Sequence, residues 1–349
     1  MKKHLAKGAQ ILLFFSVGII ILYLVFQRQE AAYRAECALK NIPTGECSLL
    51  DKIATDISNA HFGWIAVTIS LFMLTNVIRA VRWQMMFRAI GYETRVVNLL
   101  GTIMVNYLTN LGIPRSGEVI RAGLVFKYES VPVEKALGTI FTDRIFDVFM
   151  LAIFMVLALL VGGSEFVHYI NTSMEAGGPA NASDSGVIWF IGVAVPLLVI
   201  AAVLWRSRAQ LMSTNMGKKG LQLLRGFADG VKSISGVSSI PLFILYTVSI
   251  WIIYYLMFYF AFFSFDPTAH LGPATALVVF VFGSLGILIP TPGGMGSYHY
   301  LVGQGLALYG ISGADGFSFA NIVFFSIQLL ANILFGLLFL VLLPLLNKK

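Results

Sequence analysis

Asn106-Tyr107-Leu108-Thr109-Asn110-Leu111-Gly112-Ile113-Pro114-Arg115-Ser116-Gly117-Glu118-Val119-Ile120-Arg121 lies inside an otherwise apolar block that runs from Val96 to Phe126. Proline within a helix removes a hydrogen bond and clashes with the preceding turn, and glycine weakens the helix further, so this block is not one straight helix. Its halves are short, at about 14 to 20 residues each, against the roughly 20 that cross a bilayer. Broken backbone at membrane depth is tolerated where protein buries the break or water reaches it. The stretch therefore reads either as two short full crossings or, in preference, as a re-entrant helical hairpin, and it carries asparagine, arginine and glutamate side chains into the membrane.

A second block, Leu271 to Ile311, is interrupted in the same way at Pro290-Thr291-Pro292-Gly293-Gly294. Uninterrupted apolar runs surround the two: about Gln10 to Phe26, Phe62 to Ile78, Gly138 to Val161, Val187 to Trp205, Pro241 to Phe265 and Phe317 to Leu346. The expected fold is an all-α polytopic membrane protein in a single domain spanning 1–349, with about six full spans and two broken hairpins. Composition agrees, with 58% apolar and 12% charged residues and a mean hydropathy of +0.82. A soluble domain carries about 25% charge and 45–50% apolar residues. A soluble enzyme, a nucleic-acid-binding domain and a secreted disulfide scaffold are excluded.

The net charge of +7 reads as the bias of Lys and Arg toward cytoplasmic loops. Lys2, Lys3 and Lys7 put the amino terminus inside, and Lys348 and Lys349 the carboxyl terminus. The first apolar run is followed by Gln27, Arg28, Gln29 and Glu30 with no small-residue cleavage site, so an uncleaved span is expected rather than a signal peptide. The segments Arg28–Ala60 and Gly162–Gly186 read as external loops, and the basic stretch Arg206–Lys232 as internal. Arg79, Arg82, Trp83 and Arg88 read as an interfacial cluster on the inner face. Cys37 and Cys47, ten positions apart in an exported loop, either close a small disulfide ring or remain two thiols. A plasma-membrane protein with both termini cytoplasmic is expected.

The flanks of the two breaks suggest a repeat. Units 62–161 and 241–341 each read span, broken segment, span, with the break about 52 and 49 residues from the start, and by loop charge they begin on opposite sides. That is the layout of an inverted repeat, in which discontinuous helices meet near the midplane and build a transport site.

The polar groups inside the lipid are the candidate site. A charge at membrane centre costs at least about 2.5–3.5 kcal/mol on insertion scales, so it pairs or lines a wet cavity. Asn106, Asn110, Arg115, Glu118 and Arg121 share the first break. Glu118 and Arg121, three apart, are spaced for an ion pair that either serves the site or pins the hairpin. Arg115 is then the uncompensated cation, beside backbone N–H groups around Gly112 and Gly117. A cation with exposed N–H groups at a helix start binds anions, and a phosphate headgroup is the natural ligand. Asp143, Arg144 and Asp147 open the next span, as partners for Arg115 or Arg121 or as a salt bridge at the helix mouth. The second break offers Pro290, Gly293 and Gly294 for close approach, and His299 reads as a hydrogen-bonded core residue or a site residue. Gln328 and Asn332 add a polar stripe in the last span, which hydrogen bonding between spans explains equally well. No nucleotide-binding, hydrolase or metal-ligand signature is present, so no enzyme activity and no cofactor is expected.

The stretch 106–121, with its N…P-x-x-x-G-E-x-x-R pattern, resembles the signature of the lysylphosphatidylglycerol synthase transmembrane, or flippase-like, family. Asp143-Arg144-Ile145-Phe146-Asp147 is similar to that family's R-x-x-D element, and Pro290-Thr291-Pro292-Gly293-Gly294-Met295-Gly296 to its P-x-P-G-G-x-G element. The three motifs occur in the same order over nearly the whole chain. Two departures stand out: Tyr298 and His299 where members often carry an acidic residue, and Gln328 where an arginine is common in the last span. The resemblance implies a stand-alone membrane domain without the synthase domain. Such a domain would move a phosphate-bearing or aminoacylated lipid between leaflets, with an anionic phospholipid or polyprenyl-phosphate as partner. The alternatives are a non-catalytic subunit that recruits a glycosyltransferase or lipid-modifying enzyme through Arg206–Lys232, and a small-solute transporter.

Overall fold

The computed structural model describes residues 19–20, 22–31, 33–35, 37–38, 47–112, 116–175, 232–289, 291 and 294–348. All regular structure among them is helical: α1 (Leu49–Ser58), α2 (Phe62–Ala89), α3 (Val96–Gly112), α4 (Gly117–Glu129), α5 (Val133–Glu175), α6 (Ile240–Phe262), the one-turn α7 (Asp266–Ala269), α8 (Pro273–Leu288), α9 (Ser297–Ala307), α10 (Gly313–Val323) and α11 (Asn332–Leu346). A π-helical stretch, Phe324–Ala331, joins α10 to α11 without a break. Serine caps set several starts, because a side-chain oxygen satisfies an N–H that the first turn leaves over. Ser48 accepts from Asp51 N–H at 3.3 Å, Ser239 from Leu242 at 3.4 Å and Ser312 from Asp315 at 3.1 Å.

Four helices are long and apolar enough to cross a membrane: Phe62–Ala89, Val133–Gly163, Ile240–Phe262 and Gly313–Leu346. The chain is a multi-pass membrane protein. Of the other two expected spans, Val187–Trp205 lies outside the described residues, and Gln10–Phe26 is described, as helix, only from residue 19, with a gap at 21. Three boundaries differ from expectation. The second span does not stop at Ile78 but runs to Ala89, because Arg79 and Arg82 find buried carboxylates on α5. The backbone stays helical beyond Gly162 to Glu175, with Gly162 itself non-helical at φ −115°, where a loop was expected. Within the segment 28–60, α1 and helical residues at 28–31, 33–35 and 37–38 stand where a loop is expected, and Cys37 and Cys47 are joined by a disulfide with their Cα atoms 6.3 Å apart.

The element order long, short, short, long occurs twice, as α2, α3–α4, α5 and as α6, α8–α9, α10–α11. Hydrogen bonds show which ends meet. Asn98 donates to Glu129 at 2.5 Å, Asn347 donates to Asn98 at 2.9 Å, and Gly236 packs on Ala89. At the other end His61 N–H donates to the Ser264 carbonyl at 2.9 Å and Lys52 pairs with Asp315 at 2.8 Å. The α3–α4 hairpin thus opens toward the first end, and the α8–α9 hairpin toward the second. Each sits in its own apolar cluster, one around Trp83, Phe87, Ile103 and Phe243, the other around Phe258, Phe262, Phe280 and Phe319.

Candidate functional site

A cavity of about 340 Å³ lies between the hairpins. Its walls are mostly apolar, with Phe72, Leu151, Trp251, Phe280 and Phe324 among them. Arg79, Arg144, Asp147, Tyr107 and Tyr254 supply polar groups, and Gln328 and Asn332 add more from the π-helical stretch and α11. Asn332 Nδ2 donates to both the side-chain and main-chain oxygens of Gln328 at 3.2 Å, which holds this pair in the wall. Among the described residues no three His, Cys, Asp or Glu side chains converge where a metal could bind.

Arg79 and Arg82, three apart on α2, face Asp143 and Asp147, one turn apart on α5. Arg79 Nη1 donates to Asp143 at 2.8 Å and to Asp147 at 3.0 Å, while its Nη2 reaches the Tyr254 hydroxyl at 3.3 Å. Arg82 donates to the other oxygen of Asp143 and, at 2.8 Å, to Thr247. Asp143 is therefore a fully buried carboxylate gripped by two guanidinium groups. Arg144 forms the outer layer, donating to Glu118 on α4 at 2.9 Å and to Asp147 at 3.3 Å. Arg121, 1% exposed, stacks 3.6 Å above the Trp83 ring, and its Nε and Nη2 have no hydrogen-bond partner. Four arginines stand against three carboxylates, so these side chains carry one excess positive charge. Counted along the helices, Arg79 and Glu118 both lie roughly 15 Å from the first end.

The structure redistributes the expected partners. The Glu118–Arg121 pair does not form, because Glu118 turns to Arg144 and Arg121 to Trp83. Asp143 and Asp147 pair with Arg79 and Arg82 rather than with Arg121, and Asp143 is buried rather than at a helix mouth. Arg79, Arg82 and Trp83 are core residues, and of that expected interfacial cluster Arg88 alone is exposed. Gly117 N–H is not free for an anion, since Asn110 Oδ1 accepts it at 2.8 Å. Gly117 also lets α4 start against α3: a Cβ there would stand 2.4 Å from the Asn106 carbonyl. Asn106 is buried with its Oδ1 unpartnered. His299 is a packed core residue, with its ring 4.7 Å from Phe324 and Nδ1 accepting from Gly296 N–H at 3.4 Å. Gly294 has φ +83°, a conformation that glycine adopts without strain. Arg115, Pro290 and Gly293 lie outside the described residues.

Sequence reasoning missed Arg79, Arg82, Tyr107 and Tyr254. A signal for the first two existed, since paired arginines on one apolar helix match paired aspartates at one-turn spacing on another.

A family model described as the lysylphosphatidylglycerol synthase TM region matches residues 48–343. The UPF0104 membrane protein MJ1595 of Methanocaldococcus jannaschii is 24% identical over 127 residues, 35% of this chain and 38% of that protein. Glycosyltransferase AglD of Haloferax volcanii is 21% identical over 160 residues, 44% of this chain and 26% of that protein. The matches thus take in less than half of either relative. No solved structure matches.

Proposed function

Since the chain belongs to the lysylphosphatidylglycerol synthase TM-region family, we propose that it is a membrane lipid translocase that moves a phosphate-bearing or aminoacylated lipid between leaflets. The observation that carries the reading is the cavity between two oppositely opening hairpins, apolar along its walls and bearing Arg79, Arg144 and Asp147. A headgroup with phosphate finds cations there, and the proximal part of the tail finds hydrocarbon. In this reading the hairpins are re-entrant, units 62–161 and 241–341 are an inverted repeat about the midplane, and both termini face the cytoplasm at the plasma membrane. Alternating access then amounts to one unit moving against the other around the cavity. The chain itself catalyses no bond change and needs no cofactor.

Leaflet exchange of fluorescent phosphatidylglycerol in proteoliposomes tests the proposal. A charge-assisted hydrogen bond contributes about 1.5–3 kcal/mol, so Arg144→Gln is expected to slow exchange about tenfold or more. Arg115→Ala is expected to act in the same direction. Unchanged exchange in Arg144→Gln refutes the assigned site. The similarity to part of a glycosyltransferase supports a second reading, a membrane subunit that holds such an enzyme through Arg206–Lys232. An enzyme that co-purifies with the hairpin variants but is lost on charge reversal in that segment would favour it.

A further inference from the structure

The ion pairs around the cavity form two layers. Side chains of Arg79 and Asp143 are 4% and 0% exposed, whereas those of Arg144 and Glu118 are 41% and 38% exposed. Arg144 and Asp147 line the cavity, but Glu118 does not, reaching Arg144 from the first turn of α4. Among the described residues, Arg144–Glu118 is the one ion pair that ties α4 to α5.

We propose that Glu118 is a resident counter-ion, and that the phosphate of a lipid headgroup replaces its carboxylate on Arg144 and so releases the start of α4 from α5. This rests on the lipid-phosphate reading above and adds a coupling between binding and hairpin position. Three features favour the exchange. The Arg144–Glu118 pair is the more accessible layer, open to an incoming ligand as the enclosed Arg79–Asp143 pair behind it is not. The Nε edge of Arg144, which holds Glu118, offers parallel N–H donors that suit a phosphate as well as a carboxylate. The four arginines and three carboxylates carry one excess positive charge, so the single negative charge of an entering phosphodiester is balanced with Glu118 still ionised beside it. Gly117 and Asn110 keep the beginning of α4 hinged on α3 as this happens.

Spin labels on Val119→Cys and Phe149→Cys, at exposed positions of α4 and α5, report the separation. The native cysteines are bonded to each other and do not take the label. In phosphate-free maltoside detergent the distance should be single and short. Added dioleoylphosphatidylglycerol should lengthen it, and dioleoylglycerol, with the same chains and no phosphate, should not. Inorganic phosphate forms a third arm: a response to it as well assigns the effect to phosphate itself, and a response to the lipid alone assigns it to the headgroup on its chains. The distance in Glu118→Gln should be lengthened from the outset and respond to none of the three additions. If Glu118→Gln does not assemble, Glu118→Asp, which draws the carboxylate back by one methylene, should show a weakened version of the same shift. Equal distances with and without phosphatidylglycerol, an equal response to dioleoylglycerol, or a Glu118 variant identical to the wild type overturns the exchange. A distance response without leaflet exchange would refute translocation and leave the exchange standing. Leaflet exchange without a distance response would do the reverse.

Discussion

The two hairpins occupy equivalent places in the element order and are held by different chemistry. The α3–α4 hairpin is fixed by polar contacts, with Asn110 on Gly117 N–H, Glu118 on Arg144 and Arg121 on Trp83. The α8–α9 hairpin shares the close approach at a glycine, Gly286 against Tyr298 as Gly117 against Asn106, but its polar contact is uncharged, with Ser297 Oγ donating to the Gly286 carbonyl at 2.8 Å. The cavity between them takes its ionised groups from α2 and α5 and from the α8–α9 side none, only Ser284 and Tyr298. One layout can therefore be built twice, with the ionised groups of the cavity kept to one half.

The largest effect is expected where that difference is greatest. Asp143→Asn removes the carboxylate that Arg79 and Arg82 share, leaving Arg82 its bond to Thr247 and, as its nearest carboxylate, Asp147 at 3.7 Å. Breaking a buried pair by deleting one partner costs about 3–5 kcal/mol. Thermal unfolding of the detergent-solubilised protein should register it, whereas Ser284→Ala, which removes a hydroxyl bonded to the Phe280 carbonyl, should cost about 1 kcal/mol. Equal effects would erase the contrast between the halves.

Glycines sharpen it next. Gly286→Ala and Gly117→Ala both force a methyl group into backbone, and overpacking costs about 1–3 kcal/mol. Gly303 in α9 and Gly123 in α4 have open space around a Cβ, so alanine there should be neutral or stabilise by up to about 1 kcal/mol. Unfolding of the four variants side by side checks this. Gly117→Ala should in addition slow leaflet exchange, because it shifts the turn that carries Glu118.

How much of this was legible follows from what is local. Four of the spans and both breaks could be read because apolar length, proline and glycine act on their own segment. The place of Arg79 could not, since a charge ends an apolar run in sequence and only a partner on another helix keeps it inside. Glu118 and Arg121 have helix-pair spacing, yet each has a better neighbour on a different element, Arg144 on α5 and Trp83 on α2. The role of Gly117 was read as exposed N–H and is instead a contact with α3. Whether Cys37 and Cys47 pair depended on how the chain returns between them.

Ion pairs at the rim provide the smallest effect and the last contrast with the buried layer. Lys52 on α1 bonds both Asp315 and Asp56 at 2.8 Å, tying α1 to the start of α10. Partial burial lowers its pKa, but the hydrogen bonds and charges of the two aspartates outweigh burial and raise it above the ordinary lysine value of 10.5. A group whose pKa is raised by folding stabilises fully below its unfolded pKa and loses that contribution as pH rises through the folded one. Stability should thus be insensitive to Lys52 between about pH 6 and 9 and fall only above about 10.5. Because these side chains are 19% and 27% exposed, the loss should not exceed about 1 kcal/mol. Lys52→Met should remove the alkaline step and leave leaflet exchange unchanged, because the pair ties α1 to α10 and touches neither hairpin break. A step that persists in Lys52→Met would move its origin to another group, and a step as large as the Asp143→Asn effect would mean that rim and core are electrostatically one.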